Sequence, residues 1–222
     1  MWRAAPLRLR ARRWRPPGVG ALPTGVPALD AALGGGWPRG ALIEITGPPS
    51  SGKSALGAAA LEGAWAQGGL GALLSLDGPA SALRLTPGAA ALGLSPPQGA
   101  ALASLRWLLE RAPLSCLVVD TTLALQSEAG PLRFRLLQGL AAQAERRQIA
   151  LLFLSPAPAP GPRHHRWRPS PQGGELAPLC AARLFLGAPS LRGTPAWLTH
   201  RERGALQRLT LPRGAAHSPS AS

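Results

Sequence analysis

The chain is 222 residues long, 45% apolar and 15% charged, which is material for one sizeable core and one main domain with short appendages. No run of about 18 apolar residues occurs, so a membrane span is excluded and a cytoplasmic protein is expected. The net charge of +14, from 24 basic against 10 acidic residues, points to an anionic partner. Nucleic acid is favoured over a lipid surface, because the arginines are scattered and not gathered on one amphipathic helix.

Residues 1–22 form an arginine-rich arm carrying Arg3, Arg8, Arg10, Arg12, Arg13 and Arg15 and ending in Pro16-Pro17-Gly18. It could contact DNA, dock a partner or only raise solubility, and the residues do not choose among these. The part expected to fold, 23–213, is itself basic, with 18 basic residues against 10 acidic. Thr24-Gly25 turns the chain into a short helix through Leu29 and Leu33, stopped by Gly34-Gly35-Gly36. Ala41-Leu42-Ile43-Glu44-Ile45 is a strand. The Ala- and Leu-rich run from Ser54 to Gln67 is a helix closed by Gly68-Gly69.

Leu70 to Leu76 reads as a second strand, Gly99 to Arg111 as a second long helix with Leu102, Leu105, Leu108 and Leu109 inward, and Leu114 to Asp120 as a third strand. Leu132 to Arg147 makes another helix. Residues 149–154 form a fourth strand, apolar throughout as a strand covered on both faces should be. This run of βα units predicts an α/β fold, a mainly parallel twisted sheet with helices on both faces. Residues 156–174 are a Pro-rich basic loop, long for a compact domain. Short strands near 183–187, 196–201 and 205–211 are expected as an antiparallel C-terminal extension, and 214–222 as a disordered tail.

Cys116 and Cys180 are the two cysteines, and neither has the short-range Cys or His partner that zinc spacings require. Reduced, packed thiols are expected.

The segment that carries chemistry is Gly47-Pro48-Pro49-Ser50-Ser51-Gly52-Lys53-Ser54, which fits the P-loop pattern. Its glycines let successive backbone N–H groups wrap phosphates, and the helix N-terminus adds its dipole. Lys53 is placed to neutralise terminal phosphates and Ser54 to ligate Mg²⁺. The string follows a strand and opens a helix, the required context, and Lys53 is the one lysine in the sequence. Sixty-seven residues after Lys53, the apolar strand through Val118 and Val119 ends in Asp120. Ligands of open α/β sheets bind at the carboxyl ends of the strands, so Asp120 is the candidate to hold a metal-bound water.

With these residues in view, the chain resembles the RecA recombinase family. The resemblance rests on Thr24-Gly25 through Leu29-Asp30 and Leu33-Gly34, on Gly40-Ala41-Leu42-Ile43-Glu44-Ile45 running into the P-loop, and on Val118-Val119-Asp120. Gly173-Gly174-Glu175-Leu176 leading to Ala181-Ala182-Arg183-Leu184 looks like the family's second DNA-binding loop and the strand beyond it. The likeness covers residues 23–211 and implies a RecA-like P-loop NTPase core that binds ATP with Mg²⁺, binds single-stranded DNA, self-assembles and serves DNA repair or recombination. The residues give no reason to expect the family's long N-terminal polymerisation helix or its C-terminal domain.

The family's catalytic glutamate follows the second strand, where this chain reads Leu76-Asp77-Gly78-Pro79. Pro79 falls at the glutamate position and cannot act as a general base, which leaves Asp77 as a candidate and implies slow hydrolysis. The fourth strand ends in Ser155-Pro156 in place of the family's γ-phosphate-sensing Asn-Gln pair. The block Gly34-Gly35-Gly36-Trp37-Pro38-Arg39-Gly40 also looks like the ImuA-type proteins, RecA-like companions of error-prone translesion polymerases. That likeness implies a non-catalytic adaptor as the alternative.

Arg163-His164-His165-Arg166-Trp167-Arg168 lies in the long loop, at the position matching the family's DNA-binding loop. Cations for phosphates and an indole for unstacked bases are the chemistry of a single-strand contact. Arg163, His164, Arg166, Trp167, Arg168, Gly173 and Gly174 are therefore its candidates, against the alternative of a solvated loop in an Arg-rich protein. Adjacent histidines in an extended loop point apart, and metal binding there is not expected. The resemblance also makes Arg201 and Arg203 candidates to reach a neighbouring subunit's ATP, against a solvated strand edge.

Overall fold

The computed structural model describes residues 20–76, 85–97, 100–120, 130–156, 177–200 and 206–212. In chain order these form α1 (Pro27–Leu33), β1 (Ala41–Gly47), α2 (Lys53–Ala66), β2 (Leu70–Ser75), β3 (Ala91–Leu94), α3 (Ala101–Arg111), β4 (Leu114–Asp120), α4 (Gly130–Arg147), β5 (Ala150–Pro156), β6 (Ala182–Leu186), β7 (Thr194–His200) and β8 (Leu206–Leu211).

The strands make one sheet in the order β3-β2-β4-β5-β1-β6-β7-β8. The six from β3 to β6 are parallel; beyond them β7 pairs antiparallel with β6, and β8 antiparallel with β7. The predicted α/β class, the mainly parallel sheet and its antiparallel C-terminal extension are all present. Strand alternation sends Ile43 and Ile45 to one face, where they join Leu29 and Leu33 of α1 and Leu56 and Leu61 of α2. Leu42, Val119, Leu151 and Phe153 go to the other face and meet Leu105, Leu108 and Leu109 of α3 and Leu137 of α4. Both faces of the central strands are thus covered, which is why β5 reads as an unbroken apolar run.

The turn into α1 is built from the residues that the sequence offers for it. The Thr24 hydroxyl accepts from the Val26 N–H at 3.1 Å, and the Thr24 N–H donates to the Asp30 carboxylate at 2.8 Å. Before β1, Leu22 and Trp37 exchange two backbone hydrogen bonds, which ties the segment ahead of α1 to the segment after it. Trp37 is completely buried there.

One strand was not read from the sequence. Ala91–Leu94 pairs with β2 in parallel as the sheet's edge. Its Ala-Leu-Gly-Leu composition has low strand propensity, and its half-exposed pattern shows no clean alternation. The pairing is made by the neighbouring strand and not by local preference. The 156–174 loop lies outside the described residues apart from Pro156, as do the arm up to residue 19 and the 214–222 tail.

Candidate functional site

β1 delivers the chain to Gly47 at the carboxyl edge of the sheet, and six residues later α2 begins at Lys53. The loop between them has left-handed backbone at Ser50 (φ 61°) and at Gly52 (φ 97°), the N-cap of α2. Such turns gather successive N–H groups into an anion-binding concavity, and α2 adds first-turn N–H groups that have no intrahelical partner. No side chain caps this 14-residue helix.

Gly47 is required by space. A Cβ there would stand 2.6 Å from Ser51 Oγ and 2.9 Å from both the Cβ and the carbonyl oxygen of Leu186 on β6. Ser51 is buried, and its hydroxyl has no hydrogen-bond partner among the described residues. Pro48 accepts from the Ser51 N–H at 3.3 Å, closing the bend.

Lys53 folds back over this loop, its ammonium donating to the carbonyls of Gly47 at 2.7 Å and Pro48 at 2.8 Å. Partial burial lowers its pKa from the ordinary lysine value, and the negative charge of Asp120 works in the opposite direction. Asp120 stands at the end of β4, in register with Leu154 of β5, which is itself in register with Ile45 of β1. The P-loop lysine and the strand-end acid therefore lie along one edge of the sheet. Ser54, in the first turn of α2, is exposed to solvent.

One exposed hydroxyl and one strand-end carboxylate suit Mg²⁺ held partly by phosphates, with the lysine beside them as a countercharge to those phosphates. Among the described residues, no three of His, Cys, Asp or Glu gather into a protein-only metal cage.

Two neighbours of this edge went unread. The Thr46 hydroxyl donates to the Pro156 carbonyl at 3.2 Å and fastens the end of β1 to the end of β5. Ser75, buried at the end of β2, is in register with Asp120. A polar residue closing an apolar strand was the available signal for both.

The remaining candidates lie outside the described residues. Asp77 and Pro79 follow β2 directly, Arg201 and Arg203 follow β7, and Arg163, His164, Arg166, Trp167, Arg168, Gly173 and Gly174 fall between β5 and β6.

The RecA N-terminal domain matches residues 7–131. Protein RecA of Frankia casuarinae is 58% identical over 57 residues, which are 25% of this chain and 16% of that protein. Protein RecA of Cutibacterium acnes is 53% identical over 53 residues, 23% of this chain and 15% of that one. The chain thus covers about one-sixth of the length of these curated relatives. Among solved structures, the crystal structure of the RadB recombinase superposes with a TM-score of 0.66 at 22% identity, over 85% of this chain and 95% of that one. At that identity the superposition speaks for the fold. With the N-terminal domain matching more than half of its residues, the chain belongs to the RecA family.

Proposed function

We propose that this protein binds ATP with Mg²⁺ at the Gly47–Ser54 loop, binds single-stranded DNA through its long loop, and acts in cytoplasmic DNA repair or recombination. The observation that carries the reading is the juxtaposition of Lys53, wrapped over its own P-loop, with the charge of Asp120 on the same sheet edge. In this reading residues 23–213 are the ATP-binding domain, with 1–22 as a basic arm and 214–222 as a tail.

The loop N–H groups of residues 48–52 and the first turn of α2 hold the phosphates, and Lys53 exchanges its two carbonyl partners for the terminal phosphates. Ser54 and Asp120 are the residues that would hold Mg²⁺, which would supply charge neutralisation at the phosphates. Asp77 is the candidate to orient the attacking water. With Pro79 at the family's general-base position, turnover is slow and ATP serves mainly as an assembly ligand. Arg163, Arg166 and Arg168 meet DNA phosphates while Trp167 stacks on a base, with His164, Gly173 and Gly174 shaping the loop around the strand. In a self-assembled form, Arg201 and Arg203 reach the neighbouring copy's ATP.

The test is ATP binding and turnover with and without single-stranded DNA over a salt series, for wild type, Lys53→Ala and a triple Arg166→Ala, Trp167→Ala, Arg168→Ala variant. The reading stands if ATP strengthens DNA binding and Lys53→Ala abolishes the effect. It fails if neither ligand binds. A second reading, an ImuA-like non-catalytic adaptor in an error-prone translesion polymerase complex, is favoured by Pro79. It predicts polymerase binding with weak DNA affinity and no dependence on Lys53.

A further inference from the structure

One side-chain hydrogen bond at the carboxyl edge of the sheet ties the P-loop to the root of the long basic loop. Thr46 is the residue before the P-loop glycine, and Pro156 is the last described residue before 157–176. The two close neighbouring parallel strands, with Thr46 in register with Ser155 and Gly47 in register with Pro156. The Thr46 hydroxyl donates to the Pro156 carbonyl at 3.2 Å, across 110 positions of sequence. Its presence has a local cause. Proline has no N–H, so Pro156 donates nothing to the ladder between β5 and β1, and the Thr46 side chain joins the two strands at this rung. Thr46 is 3% exposed, and a hydroxyl so withdrawn from water needs a partner inside the protein.

On the other side of Thr46 the P-loop is packed without slack. Lys53 donates to the carbonyls of Gly47 at 2.7 Å and Pro48 at 2.8 Å. A Cβ added at Gly47 would meet Ser51 Oγ at 2.6 Å and Leu186 of β6 at 2.9 Å. When Lys53 leaves the two carbonyls for phosphates, the Gly47 peptide has room neither toward Ser51 nor toward β6, and a close-packed interior passes a displacement on to the next group. That group is Thr46, and beyond it the Pro156 carbonyl.

We infer that Thr46 is a positioning residue that couples nucleotide occupancy of the P-loop to the root of the long loop. The inference rests on the reading that the P-loop takes ATP and the long loop takes single-stranded DNA. Thr46 acts through the two loops and touches neither ligand. Its hydroxyl carries the coupling between them, so that ATP strengthens DNA binding and DNA strengthens ATP binding by the same factor. The link needs a hydroxyl at this position: valine has the same branched shape and cannot donate, whereas serine can.

The test uses the full chain, a labelled oligothymidylate and a non-hydrolysable ATP analogue with Mg²⁺, each titrated alone and in the saturating presence of the other. The wild type is expected to show a coupling factor of about fivefold or more. Thr46→Val is expected to bring the factor to within about twofold of unity while each ligand alone keeps its affinity, and Thr46→Ser to retain the coupling. A hydroxyl that only stabilised the fold would lower Tm in Thr46→Val and leave the factor at its wild-type value, which overturns the inference. A wild type that binds both ligands without coupling also overturns it. A second arm needs no variant: amide exchange of the wild type is followed by NMR, and the analogue alone is expected to change exchange at Gly47 and Ser155 together. A change at Gly47 with none at Ser155 overturns the inference even where Thr46→Val does not fold. The ATP and DNA reading itself fails by a different result, a wild type that binds neither ligand, and the inference then falls with it.

Discussion

Glu44 of β1 and Arg183 of β6 stand side by side in the parallel register and are joined inside the protein, Arg183 Nε donating to a Glu44 carboxylate oxygen at 2.6 Å. Both side chains are nearly withdrawn from water, at 10% and 8% exposure, and the Arg183 guanidinium also lies over the Phe185 ring, 4.8 Å from its centroid. A buried ion is costly once its partner goes, whereas an apolar pair of similar volume is tolerated. Arg183→Ala is therefore expected to destabilise by about 3–5 kcal/mol, and the double change Glu44→Leu with Arg183→Leu to be near neutral. Urea unfolding of the three chains checks this. A small loss in Arg183→Ala would show that Glu44 is solvated in solution.

The lowered pKa of Lys53 has a definite sign in pH. Burial favours the neutral amine, so the folded chain holds fewer protons at this site than the unfolded chain, and stability rises with pH from the lowered value up to the ordinary 10.5. Phosphate binding needs the ammonium, so nucleotide affinity is expected to begin falling below 10.5. Lys53→Arg holds its charge to higher pH and removes that fall. Asp120→Asn removes the charge that opposes the shift and moves the fall to lower pH. Nucleotide titrations across alkaline pH decide the matter, and a wild-type affinity that stays flat through 10.5 would exclude the burial effect.

Gly47 and Ser51 are expected to respond in opposite ways. Gly47→Ala drives a Cβ into the Ser51 hydroxyl and the Leu186 backbone, and overpacking of this kind costs about 1–3 kcal/mol. Ser51→Ala removes a buried hydroxyl that has no partner among the described residues, so it is expected to be neutral or slightly stabilising. Thermal unfolding of both variants measures the contrast. A large loss in Ser51→Ala would reveal a hydrogen bond, through water, that this hydroxyl makes.

Cys116 and Cys180 are both buried and are not joined in a disulfide. Burial pushes the Cys116 thiol up to about 12, so almost no thiolate exists at neutral pH. Neither cysteine is expected to react with a disulfide reagent such as DTNB in the native protein, and both are expected to react in guanidinium. Rapid native labelling would mean that this part of the core opens locally.

The P-loop motif was legible as a string of glycines, lysine and hydroxyl at set spacings between a strand and a helix. Lys53 and Asp120 were legible as a pair because parallel strands bring their carboxyl ends to one edge. The helices and central strands followed from apolar periodicity, in which Leu105, Leu108 and Leu109 mark one face and the run Leu151 to Leu154 marks a strand buried twice over. Strand order, by contrast, depends on pairings between residues far apart, such as Ile45 with Leu154 and Ile43 with Ala182. The edge strand Ala91–Leu94 owes its existence to β2, and the pairing of Glu44 with Arg183 to the register of β1 on β6. The sequence by itself determined the helices, the central strands and the P-loop string between β1 and α2. Tertiary structure alone decided what lies beside what, because non-local pairing and packing are set by the whole sheet and not by any one segment's preference.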